Sequence, residues 1–143
     1  MNKNSWNGKN VFITGINGFI GGNLAKELLS LGANVIGLIR NHSEQTFLYF
    51  EGLHKDIVII HGDLSDKDLI CRIMSEENID VVYHLAAQVE VGVGITNPYL
   101  TFETNIRGSY ILLEAMRRHG NSIKAIVFAS TDKAYGSYSA DQM

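Results

Sequence analysis

A single cysteine and a single proline stand among the 143 residues. Cys71 therefore has no partner for an intramolecular disulfide, and inside the helical pattern DKDLICRIMSEEN it reads as a small packed hydrophobe rather than a nucleophile. No linker rich in proline or serine, no internal repeat and no low-complexity tract divides the chain. With 45% hydrophobic residues it can bury one core and is too short for two ordinary domains, so residues 1–143 are expected to form one domain. Runs of lysine or arginine are missing and the net charge is −3, which excludes the clustered cations that a nucleic-acid partner requires. No apolar stretch approaches the ~20 residues of a bilayer span, and the polar start MNKNSWNGKN lacks the apolar core of a signal peptide. No membrane partner and a cytoplasmic location are expected. His42, His54, His61, His84 and His119 lie too far apart for a local ligand cluster, and His-Glu-x-x-His is absent, so no metal site is expected.

What is present is alternation. The runs VFIT (11–14), NVIGLI (34–39), DIVII (56–60), DVVYHL (80–85) and AIVFAS (125–130) are almost continuously apolar, as strands covered on both faces are. Between them lie helical patterns: Leu24, Leu28 and Leu31 share one face, as do Leu69, Ile73 and Met74. The spacing predicts a long helix over 98–119, opened by Pro98, closed by Arg117, Arg118 and His119, and stopped by Gly120. Residues 40–55 carry no clear pattern. The fold class expected is α/β, a doubly wound, Rossmann-like parallel sheet in strand order 3-2-1-4-5, with ligand at the carboxyl ends of the first and fourth strands.

The stretch TGINGFIG places Gly15, Gly18 and Gly21 three residues apart where the first strand gives way to a helix. A helix N-terminus offers unpaired N–H groups and a positive dipole end, and side chains would hold a diphosphate away from them. Gly15 allows the tight turn, Gly18 close approach of phosphate, and Gly21 close packing of helix on sheet. The loop's candidate cofactor residues are Gly15, Asn17, Gly18, Phe19, Ile20 and Gly21. A glycine-rich turn with no ligand is the competing reading; the surrounding strand, helix and βαβ unit favour a dinucleotide.

The G-x-x-G-x-x-G form of this loop resembles the extended branch of the short-chain dehydrogenase/reductase superfamily, and similar motifs follow in order. GDLSD (62–66) resembles the family's segment after the third strand, which implies Asp63, with Leu64, beside the adenine. VVYHLAAQ (81–88) resembles its fourth-strand signature, which implies Leu85, Ala86 and Ala87 as a cofactor wall. NPYLTFETNIRGSYILLEAMR (97–117) is similar to the next helix, with Asn105 in its Thr-Asn position. Without a ligand, Asp63 is a turn aspartate, His84 a satisfied strand histidine and Asn105 an internally bonded helix residue. Asn105 remains open between a structural and a cofactor-supporting role, and His84 is taken as structural.

After the second strand a carboxylate would bind the two ribose hydroxyls of NAD, whereas a 2′-phosphate favours arginine. Ile39 fills that position and Arg40 follows, so NADP is preferred over NAD. A solvated Arg40, or one stacked on the adenine of NAD, is the alternative.

FASTDKAYG (128–136) resembles the strand end at which the family binds the sugar hydroxyl that is oxidised, which implies that role for Thr131, with Ser130 a cofactor-binding candidate. Thr131-Asp132-Lys133 resembles the nucleotide-sugar 4,6-dehydratases, the CDP-glucose type in particular, more than the epimerases. The resemblance implies hydride loss from C4, elimination of water across C5 and C6, and hydride return to C6, on a nucleotide-sugar substrate. Asp132 would protonate the departing hydroxyl if its pKa were raised. Lys133 stands where many dehydratases carry glutamate, and it serves as base only with a lowered pKa. An exposed Asp-Lys pair is the bland alternative.

None of the six tyrosines has a lysine four residues on, so the family's Tyr-x-x-x-Lys base is not in these 143 residues. The chain thus resembles an N-terminal half, incomplete before the last strands and the substrate lobe, and for it alone weak cofactor binding at best and no turnover are expected. A non-catalytic dinucleotide-binding or regulatory module is the other reading. If strands are missing, the edge of the fifth strand and a stripe of Ile111, Leu112, Ala115 and Met116 on the 98–119 helix are expected to be exposed and to drive homo-oligomerisation.

Overall fold

Successive residues of strand β1 (Asn10–Thr14) point to opposite faces, and both faces are apolar. Val11 and Ile13 join one buried cluster and Phe12 the other. The computed structural model that establishes this describes residues 5–131 and Gly136. Strands β2 (Asn34–Ile39), β3 (Ile57–His61), β4 (Val81–His84) and β5 (Ala125–Phe128) complete a five-stranded sheet, all pairs parallel, in the order β3-β2-β1-β4-β5. This is the order the sequence predicts. The register sets Thr14 beside His84, and His84 beside Phe128, at the carboxyl ends of the three neighbouring strands.

The helices are α1 (Phe19–Ser30), α2 (Phe47–Phe50), α3 (Lys67–Glu76), α4 (Val91–Thr96), α5 (Pro98–Phe102) and α6 (Gly108–His119). On one face Ala25 and Leu28 of α1 and Leu48 of α2 pack on Val11, Ile13, Val35 and Ile39. On the other, Leu69, Ile70, Ile73 and Met74 of α3 and Ile111, Leu112 and Ala115 of α6 cover Phe12, Ile36, Leu38 and Val82. Phe12, Ile70 and Leu112 are fully buried, each contributing roughly 1.5–3 kcal/mol of transfer free energy. Cys71 packs at the margin of the second cluster, as its helical setting suggests. Among the described residues no helix is long and apolar enough to cross a membrane, and no group of side chains could hold a metal ion.

The structure departs from expectation in four places. Strand ends move by a residue or two; β3 starts at Ile57 because the Asp56 N–H is taken by Leu53 O, 3.0 Å away, at the end of a 3₁₀ turn (Leu53–Lys55). The 98–119 helix is continuous but widens into a π turn (Glu103–Arg107) between α5 and α6. Helix α4, VGVGIT, is not foreseen, since two glycines in six residues oppose helix formation. The fourth departure is a correction: Ile111, Leu112 and Ala115 are buried and Met116 is partly covered, because α3 and the sheet already occupy that stripe. The apolar residues that α5, the π turn and α6 expose are instead Tyr99, Phe102, Ile106, Tyr110 and Leu113. At β5, Val127 and Phe128 are exposed, as expected of that strand.

Candidate functional site

The carboxyl ends of β1, β2, β3 and β4 open into a crevice of about 430 Å³, within the range of small-molecule sites. Its floor is the turn after β1. Gly15 adopts φ +74°, and a Cβ there would stand 2.7 Å from both Ala86 N and Leu85 C, so the turn and the β4 extension are in backbone contact. The Gly18 N–H closes the turn on Gly15 O at 3.0 Å, and Gly18 is the N-cap of α1 without any side-chain cap. The first helical bond runs from Gly22 N to Gly18 O, which leaves the N–H groups of Phe19, Ile20 and Gly21 without an intrahelical acceptor. Gly21 is buried, and a Cβ on it would overlap Gly15 O and come within 2.8 Å of Ile16 Cα. Only glycine lets α1 start this close to the turn.

Of the expected cofactor residues, Gly15, Asn17, Gly18, Arg40, Asp63, Leu64, Leu85, Ala86 and Ala87 line the crevice. Phe19, Ile20 and Gly21 do not: the first two expose their side chains to solvent, and Gly21 lies beneath the turn. The Asn17 Oδ1 is out of solvent contact and has no hydrogen-bond partner. Arg40 Nη1 lies 3.9 Å from Asp63 Oδ2, so the two line the same side of the crevice as a loose, half-exposed ion pair. Burial works against the Asp63 carboxylate, but hydrogen bonds from the Ser65 backbone and hydroxyl, together with Arg40, outweigh it and lower the pKa.

Asn105 sits in the π turn away from the crevice lining and binds the wall from behind. Its Oδ1 accepts from Gln88 N at 2.7 Å, and its Nδ2 donates to Gln88 O at 2.9 Å. Ser130 and Thr131 follow β5 and are exposed, outside the crevice lining. Asp132 and Lys133 lie outside the described residues.

Sequence reasoning passed over Leu38, Gly62, Gln88, Leu100 and Thr104, which also line the crevice, and named Ile39, another lining residue, only for the carboxylate it replaces. Strand-end position is the signal for Leu38 and Ile39; Leu100 and Thr104 come from α5 and the π turn, whose placement no local pattern gives. His84 is a satisfied strand histidine, as the sequence suggests, but its pairing with Thr14 across the ends of two apolar strands is not foreseen. Thr14 Oγ1 lies 2.7 Å from His84 Nδ1 and accepts from Ala86 N at 3.2 Å. Burial lowers the His84 pKa to about 4, so the ring is neutral near pH 7.

Fold and crevice together define a Rossmann-type domain whose open site sits where the strand order reverses. A family model described as GDP-mannose 4,6 dehydratase matches residues 12–143. The chain is 36% identical over 129 residues to CDP-paratose 2-epimerase of Salmonella typhi, aligning 88% of this chain with 38% of that protein. It is 35% identical over 136 residues to CDP-glucose 4,6-dehydratase of Salmonella typhimurium, aligning 94% of this chain with 38% of that one. The structure of UDP-glucose-4-epimerase from Stenotrophomonas maltophila, with bound NAD and formylated UDP-arabinopyranose, superposes with a TM-score of 0.80 at 32% identity, covering 91% of this chain and 39% of that one. The chain belongs to the nucleotide-sugar epimerase and dehydratase family of extended short-chain dehydrogenases/reductases. It spans 38% of the length of both curated relatives.

Proposed function

We propose that this chain is the dinucleotide-binding portion of a nucleotide-sugar 4,6-dehydratase or epimerase. The observation that carries the reading is the glycine cradle: three N–H groups of α1 without intrahelical acceptors, at a turn that has no room for a Cβ at Gly15 or Gly21. The residues fit a dinucleotide. The amides of Phe19 and Ile20 would hold the diphosphate, and the partnerless Asn17 Oδ1 would accept from a hydroxyl of the ligand. Leu38, Ile39 and Leu64 offer an apolar slot for adenine, with Asp63 at its edge and residues 85–87 as the opposite wall. A bound oxidised nicotinamide would supply the acceptor that takes hydride from the sugar and later gives it back.

On this reading Arg40, in a loose ion pair with Asp63, selects the 2′-phosphate of NADP over NAD. Thr131 would hold the sugar hydroxyl and Asp132 would protonate the departing one. The 35% identity to CDP-glucose 4,6-dehydratase supports the dehydratase arm and the 36% identity to CDP-paratose 2-epimerase the epimerase arm. Self-association, through the exposed face of the 98–119 helix or the edge of β5, is part of the same proposal. Calorimetric titration of the chain with NADP⁺ and NAD⁺ is the test. Binding of both, tighter for NADP⁺, is expected; tighter NAD⁺ overturns the role of Arg40, and no heat with either overturns the dinucleotide reading.

A further inference from the structure

His84 is 2% exposed, and the chemistry above does not use it. Counting its hydrogens fixes the direction of every bond around it. Ser109 donates its one hydroxyl proton to Asn105 O at 2.6 Å, so toward His84 Nε2, 3.1 Å away, the Ser109 oxygen can only accept. The neutral ring therefore carries its proton on Nε2, and Nδ1 must accept from the Thr14 hydroxyl. Thr14 Oγ1 in turn accepts the N–H of Ala86. One series thus runs in a single direction, from the Ala86 amide through Thr14, His84 and Ser109 to the carbonyl of Asn105. The Asn105 side chain then returns to the crevice wall through both backbone groups of Gln88. The series begins and ends on the two residues that flank Ala87, and all three line the crevice.

We propose that His84 is a positioning residue: as the Nε2–H tautomer it joins β1, β4 and the π turn into one hydrogen-bonded unit that holds residues 86–88 at the spacing a dinucleotide needs. The Phe128 ring packs on the imidazole, with centroids 4.4 Å apart. The π turn is the feature that brings the Asn105 carbonyl, its side chain and Ser109 onto one side of the helix beside β4.

The first test needs no variant. A long-range proton–nitrogen NMR spectrum of the chain should give one pyrrole-like Nε2 and one pyridine-like Nδ1 for His84, unchanged from pH 8 to pH 5. An Nδ1–H ring, or interconverting tautomers, would overturn the proposal. The second test reads function. Thr14→Val and His84→Phe should each displace the Ala86 and Gln88 amide resonances and weaken dinucleotide binding about tenfold, while the double variant binds no worse than either single one. Unchanged affinity in a folded His84→Phe protein, or effects that multiply, would contradict it. The affinity arm rests on the dinucleotide reading; the spectra do not, so a chain that binds no dinucleotide still decides the tautomer and the coupling.

Discussion

Replacing Gly15 by alanine separates the cost of a left-handed backbone from the cost of a close approach, because Gly52 supplies the control. Both residues hold nearly the same conformation, φ +74° at Gly15 and +71° at Gly52. An alanine at either site carries the left-handed penalty of ~1–2 kcal/mol, and at either site it gains ~0.4–1 kcal/mol from a less flexible unfolded chain. The surroundings differ. Nothing lies within 4 Å of a Cβ at Gly52, whereas at Gly15 it meets Ala86 N and Leu85 C at 2.7 Å and Ala86 Cα at 2.9 Å. Those are main-chain atoms, which cannot rotate aside, so β1 and the crevice wall must separate at a further cost of ~1–3 kcal/mol. Gly15→Ala should therefore be less stable than Gly52→Ala by ~1–3 kcal/mol in urea unfolding, and melt roughly 4–12 °C lower for a chain of this size. Equal stability of the two variants would refute the claim that the turn is pressed against the wall.

Asp80 gathers the other end of the sheet: its carboxylate accepts from Lys124 Nζ at 2.8 Å, Asn10 N at 3.1 Å and Lys9 Nζ at 3.3 Å. The Lys124 bond first, then the Asn10 amide and Lys9, lower its pKa from 3.8 to about 2. A depressed folded-state pKa means stability that is full above 3.8 and lost as pH falls toward 2. Asp80→Asn should thus be less stable than the parent at pH 6 in denaturant titrations, and the two should converge near pH 2; a gap that is constant with pH would contradict this. On the helical face, Tyr99, Phe102, Ile106, Tyr110 and Leu113 recur at spacings of three and four residues and are 47–70% exposed. Sedimentation at concentrations on the order of tens of micromolar should detect self-association that Ile106→Glu weakens, whereas a parent that stays monomeric would count against either proposed surface.

The parallel order of the sheet was legible because its strands are apolar on both faces, and Val11, Phe12 and Ile13 divide between two clusters as that pattern requires. The glycine turn was legible for a similar reason: its constraint is local, and spacing alone encodes it. Which side of the long helix faces inward was not. Ile111, Leu112 and Ala115 form one apolar stripe within α6, but a local pattern does not say which element covers it, and α3 and the sheet do so. Leu48 illustrates another limit. It is fully buried, yet it stands in a four-residue helix within FLYF, too short for any period to be read. His84 reads as an ordinary strand residue until the π turn brings Ser109 to its far nitrogen.

A crystal of this chain soaked with NADP, the dinucleotide proposed for it, tests the central claim most directly. The account predicts diphosphate oxygens about 2.9 Å from the amide nitrogens of Phe19 and Ile20, above Gly15 and Gly18, with adenine between Leu38 and Leu64. A dinucleotide bound elsewhere, or a glycine turn still bare at saturating concentration, would contradict it.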